Sequence, residues 1–146
     1  MRNIVGRSIA LKCVLALVAG PLQGAGAVNT TGSWKLNVGK SDYGKRPKPK
    51  EVTVTIEHKE PSLKYTVTGT DGEDKPISIQ FSGAIDGKEY PLTGSQYVAK
   101  ISVKRINDRT TESIGKSAEG KVVENVTVTV SADGKTLTRT AKITLP

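Results

Sequence analysis

The sequence predicts an all-β protein, an antiparallel up-and-down meander of about eight to ten strands closing into a small barrel. Three observations carry this. Apolar and polar residues alternate with period two through most of the chain after residue 50. No window beyond the N-terminal segment carries a helical apolar stripe. Asp-Gly pairs punctuate the alternating runs at Asp71-Gly72, Asp86-Gly87 and Asp133-Gly134, with Asn107-Asp108 as a further turn candidate.

Residues 1–27 carry the composition of an export signal. Arg2, Arg7 and Lys12 precede a short apolar run, CVLALVAG, and Ala25-Gly26-Ala27 supplies an A-x-A cleavage pattern. The run is far shorter than the ~20 residues that span a bilayer, so no stable transmembrane anchor is expected. Cys13 follows a lysine and is read as part of the signal rather than as a lipid-attachment site. Cleavage near Ala27 would leave one domain, residues 28–146, with no cysteine, periplasmic or secreted. Removing the leader takes the net charge from +8 to +5, because three basic residues and no acids depart. That charge favours anionic surfaces in a general way and does not imply nucleic acid.

The strands follow in order. A weak one is expected at 33–38, around Trp34 and Leu36. Val52, Val54 and Ile56 alternate with Thr53, Thr55 and Glu57. Leu63, Tyr65 and Val67 alternate with Lys64, Thr66 and Thr68. Ile77, Ile79 and Phe81 alternate with Ser78, Gln80 and Ser82. A weak strand is expected at 88–92, then a firm one through Ala99, Ile101 and Val103, and a weak one at 109–115. Val126, Val128 and Val130 form the next apolar register, and Leu137, Ala141, Ile143 and Leu145 the last. A sheet apolar on one face throughout must cover that face, and curling into a barrel also removes its exposed edges. An immunoglobulin-like sandwich fits less well, lacking the cysteine pair and the mid-chain Trp.

Gly32-Ser33-Trp34-Lys35-Leu36 resembles the G-x-W opening of the lipocalin and fatty-acid-binding protein superfamily (the calycins). GAIDGKEYPLTG (83–94), ISVKRI (101–106) and SADGKTLT (131–138) are similar to segments of a group of small exported bacterial lipocalin-like proteins. The resemblance spans most of residues 31–140. It implies that Trp34, introduced by Gly32, plugs one end of the barrel with a late-strand cation lying across it. Arg105 and Arg139 both fall in apolar registers, and the sequence does not choose between them. The one that does not pack on Trp34 could hold a ligand carboxylate inside the barrel, as in fatty-acid-binding proteins, or turn outward at a strand bend. The helical lid of those proteins is absent, since residues 39–50 are short and rich in Pro and Gly. The similar bacterial proteins often continue into another strand beyond the position of Pro146, so pairing of first and last strands is left open.

GKRPKPK presents Lys45, Arg46, Lys48 and Lys50 around two prolines, an extended cationic segment. It reads either as a solvated connector or as a contact for lipid phosphates or an anionic polymer. No aromatic beyond Tyr43 accompanies it, which argues against a nucleic-acid partner.

No catalytic constellation is apparent. His58 lies between Glu57 and Lys59 at a strand end and is read as a polar strand-end residue without a general-base role. A leaderless chain with one His and no Cys offers no zinc set, and Asp71, Glu73 and Asp74 do not have calcium-loop spacing. Asn29-Thr30-Thr31 and Asn125-Val126-Thr127 are glycosylation sequons, relevant only to a eukaryotic secretory pathway. No enzyme activity, cofactor or metal is therefore expected. Two readings stand. One is a non-catalytic exported barrel binding a small hydrophobic or amphipathic ligand, with Tyr65, Phe81, Arg105 and Arg139 as lining residues. The other is a structural or interaction protein that contacts anionic envelope or extracellular material through its basic face and loop. Against the first, large apolar side chains can fill a small barrel completely. Ligand identity and oligomeric state have no signature in the sequence.

Overall fold

A computed structural model describes residues 8–19, 28–44 and 46–144. The Ala25–Ala27 cleavage pattern and Lys45 lie outside the described residues. The strands are β1 (Ser8–Ala19), β2 (Gly32–Leu36), β3 (Glu51–Lys59), β4 (Ser62–Thr70), β5 (Pro76–Ala84), β6 (Glu89–Thr93), β7 (Lys100–Asn107), β8 (Thr110–Lys116), β9 (Val122–Val130) and β10 (Thr136–Thr144). They form a closed barrel in which every ladder is antiparallel and each strand from β2 to β10 pairs with its neighbours in sequence. The described residues contain no α-helix, only a short 3-10 turn at Val38–Lys40.

Nine of these strands lie where the alternation placed them. The tenth does not. Ser8–Ala19, read from sequence as leader, forms β1 and closes the barrel between β2 and β10. Its ladder with β10 runs from Ser8 opposite Thr144 to Ala16 opposite Thr136, and its ladder with β2 from Leu15 opposite Leu36 to Ala19 opposite Ser33. The first and last predicted strands, β2 and β10, are therefore bridged through β1 and do not pair directly. Backbone bonds between Lys12 and Asp42 fasten the segment after β2 to the same strand.

The alternation becomes an inside and an outside because successive side chains leave opposite faces of a strand. Trp34, Leu36, Ile56, Val126, Val130, Leu137, Ala141, Ile143 and, from β1, Leu15 form one buried cluster with Tyr43. Phe81, Val98, Ile101 and Val103 form a second, and Leu63 and Tyr65 pack against both. The threonines and lysines of the opposite register face outward; Lys64, Thr127, Thr129 and Lys142 are exposed.

The Asp-Gly turns differ from tight two-residue hairpins, which need positive φ at both central residues. At Asp86-Gly87 and Asp133-Gly134 only the glycine takes it, at φ 78° and 72°. Each aspartate instead accepts the backbone N–H two residues on, from Lys88 and Lys135. At Asp71-Gly72 the positive φ falls on Asp74, and Asp71 Oδ1 accepts from both Glu73 and Lys75. The aspartate side chain thus closes a longer loop than the dipeptide alone suggests.

Candidate functional site: the barrel lumen

The meander sorts connectors to two ends. Segments 28–31, 60–61, 85–88, 108–109 and 131–135 lie at the end where β2 begins, which holds Trp34. Segments 37–50, 71–75, 94–99 and 117–121 lie at the other. Between them runs a cavity of about 860 Å³. Its walls are mainly apolar: Val54, Ile56, Leu63, Val67, Ile77, Ile79, Val103, Val126, Val128 and Leu137. The expectation that large side chains could fill the lumen is not met. The volume falls within the range of small-molecule sites.

The Trp34 end is tied by hydrogen bonds. The indole is 1% exposed, and its Nε1–H donates to the Thr30 carbonyl at 2.8 Å. Thr31 Oγ1 accepts from the His58 N–H and donates to the His58 carbonyl, both at 2.9 Å. Val28 N–H donates to the Asp108 carbonyl. The chain before β2 therefore crosses this end as a strap.

His58, at the end of β3, is buried at 7% exposure. It continues the inward register Val52–Val54–Ile56. Its Nδ1 lies 3.1 Å from the Thr30 N–H, which can only donate, so Nδ1 accepts. The ring proton then sits on Nε2 and is given to Glu60, 2.5 Å away. Glu60 also receives Nε and Nη2 of Arg105, each at 2.7 Å, while Nη1 donates to the Asn107 carbonyl. The paired Arg105 guanidinium, followed by His58, holds the Glu60 carboxyl at about 2 against an ordinary 4.5, with burial opposing.

This sets an acid window. A lowered folded pKa means that the unfolded chain binds the proton more readily, so stability is present above 4.5 and lost as pH falls toward 2. Arg105→Gln should remove part of that pH dependence while the other carboxylates keep theirs. Thermal melts of both proteins across the window read the difference; parallel curves would show that Arg105 and Glu60 do not interact in solution.

Arg139 lies inside, in register with Leu137, Ala141 and Ile143, and lines the cavity. Its Nη2 is 3.5 Å from Glu124 Oε2, a long single contact. Glu124 was not singled out from the sequence, although it falls in the phase of Val126 and Val128. Its side chain is 13% exposed, and it too lines the cavity. Gly115, opposite Glu124 on β8, makes room for it: a Cβ there would lie 2.5 Å from Glu124 Cγ. Cys13 faces Arg139 across the β1–β10 ladder, its thiol pKa raised by burial although Arg139 opposes the shift. Tyr65 shares this neighbourhood, and burial pushes its hydroxyl up to about 12.

Of the proposed lining residues, Tyr65, Arg105 and Arg139 border the cavity. Phe81 does not; it stacks on Tyr65 at 5.1 Å and meets Tyr90 edge-on. Among the described residues no cation stacks on Trp34, since Arg105 is taken by Glu60 and Arg139 by Glu124. In the basic loop, Arg46 joins the cavity rim with Pro47 and Pro49, and Lys48 is exposed. Lys50 is paired with Asp74, and its N–H bonds the Thr70 carbonyl, so the loop leans on the acidic β4–β5 turn. No cluster of three metal-ligating side chains and no helix long and apolar enough to cross a membrane occurs among the described residues.

Fold and site together define a class: a ten-stranded antiparallel β-barrel with a mainly apolar lumen, an architecture compatible with a lipocalin-like fold. Comparisons with family models, curated proteins and solved structures found no match.

Proposed function

We propose that this chain is a non-catalytic, lipocalin-like carrier that takes a small hydrophobic or amphipathic molecule into its barrel. The observation that carries the reading is the unfilled lumen: about 860 Å³ walled largely by valine, isoleucine and leucine. Empty apolar space of that size forgoes dispersion contacts that a guest would supply. Polar groups on the lining, Arg139, Glu124 and Tyr65 among them, would orient the guest rather than hold it, as is usual for such sites. The G-x-W opening at Gly32 and Trp34 supports the calycin likeness. The composition of residues 1–27 supports an exported location, and because Ser8–Ala19 is also β1, the closed lumen requires that this segment be kept. Contact with anionic material through the basic loop is the weaker reading, because Lys50 is already engaged by Asp74.

Native mass spectrometry of protein recovered from its own host tests both parts. Retained lipid-like adducts released by organic extraction are the expected result, and the protein mass reports whether residues 1–27 remain. A bare protein that also fails to take up any apolar dye would end the carrier reading.

A further inference from the structure

We infer that the lumen selects an apolar molecule with an uncharged polar head, such as an alcohol, ester or amide, over one that ends in a carboxylate. The inference rests on the carrier reading and names its ligand class. It follows from how the interior cations are answered.

Arg139 projects into the cavity from β10, and a guanidinium there would ordinarily attract an anion. The fold supplies that anion itself. Glu124 occupies an inward position on β9, and β8 has glycine at position 115, where any Cβ would press on the Glu124 side chain. A carboxylate entering beside Arg139 would meet Glu124 as well. Attraction and repulsion would then largely cancel at similar distances, leaving the entering charge stripped of water without net compensation. Arg105 offers no alternative, because Glu60 takes it through both carboxylate oxygens and the Asn107 carbonyl takes a third donor. His58 offers no donor at Nδ1, which accepts from the Thr30 N–H, and its Nε2 is turned to Glu60. The remaining cations on the cavity lie at its rim: Arg46 and Lys121 on the far-end loops and the exposed Arg109 in the β7–β8 turn at the Trp34 end, where a charged head would stay in water.

A neutral head meets different chemistry. The Arg139–Glu124 contact is single and long at 3.5 Å, so donors of Arg139 and acceptor sites of Glu124 remain for a third group. A hydroxyl or amide can accept from the first and donate to the second. The Tyr65 phenol stays protonated across the physiological range and offers a further donor.

The test uses the delipidated full-length protein loaded with Nile red, an uncharged dye, at neutral pH. Lauryl alcohol and laurate, which share one tail, are titrated as displacers. The alcohol should displace the dye at a concentration about tenfold lower or more. Glu124→Gln removes the internal counter-charge and should reverse the order in favour of laurate. Tighter binding of laurate by the unsubstituted protein, or equal binding, overturns the inference while leaving the carrier reading in place. Failure of the dye and both displacers to bind overturns the carrier reading and the inference with it. The unsubstituted comparison stands even where Glu124→Gln folds poorly, and Gly115→Ala, which crowds Glu124, gives a second perturbation of the same carboxylate. Preference unchanged in both variants would detach Glu124 from selectivity and overturn the inference.

Discussion

Replacing Trp34 by alanine should lower the stability of the barrel by about 3–5 kcal/mol, read as a shift in the urea midpoint by circular dichroism. The residue is the largest fully buried side chain among those described, and its ring belongs to the cluster that joins β2, β3, β9, β10 and β1. Truncation removes a large apolar surface from between strands that cannot move together without breaking their ladders. It also leaves the Thr30 carbonyl without the indole N–H, which loosens the strap before β2. Trp34→Phe separates these contributions. It keeps most of the ring and loses the hydrogen bond, so its cost should be smaller, about 1–3 kcal/mol. A change below about 0.5 kcal/mol for the alanine variant would mean that the indole is not buried in solution.

The second large effect belongs to β1. Leu15→Asp should destabilise the full chain by about 4 kcal/mol or more, because Leu15 is 5% exposed in the main cluster and its nearest inward cation, the diagonal neighbour Arg139, already faces Glu124. Ala16, the next residue, is exposed, and Ala16→Asp should cost less than about 1 kcal/mol. The contrast between adjacent positions is the measurement: only a strand seated in the wall makes neighbours behave so differently. Equal, small effects at both positions would show that Ser8–Ala19 is not part of the folded barrel.

The fold was legible wherever one strand face is apolar and the other is not. Val52–Val54–Ile56 and Leu63–Tyr65–Val67 declare an inside without reference to any partner. β1 was hidden because its apolar run also satisfies the simpler pattern of a leader, and Val14 and Ala16 blur the alternation of Cys13 and Leu15. The turns lie where the Asp-Gly pairs put them, but the dipeptide does not reveal that the aspartate carboxylate caps the loop. Within the site, the phase of Arg139 was readable. Glu124 and His58 share the phase of Val126–Val128 and Val52–Val54–Ile56 in the same way, but as polar members of an apolar register they carry no hydropathy signal of their own. Their inward positions follow from parity alone. Their partners do not, since Glu60, Arg105 and Gly115 come from other strands and turns.

One consequence of the wall's construction concerns arithmetic. Each strand runs opposite to its neighbours, so an unbroken ring of this kind needs an even number of staves. Take away Ser8–Ala19 and nine are left, with Gly32–Leu36 and Thr136–Thr144 pointing the same way across the gap. Those two borders cannot zip together in the pattern used everywhere else in the ring. Loss of the N-terminal segment would therefore force a choice the intact ring never faces: a parallel seam between those two borders, or a lengthwise slit that exposes the greasy interior along its side.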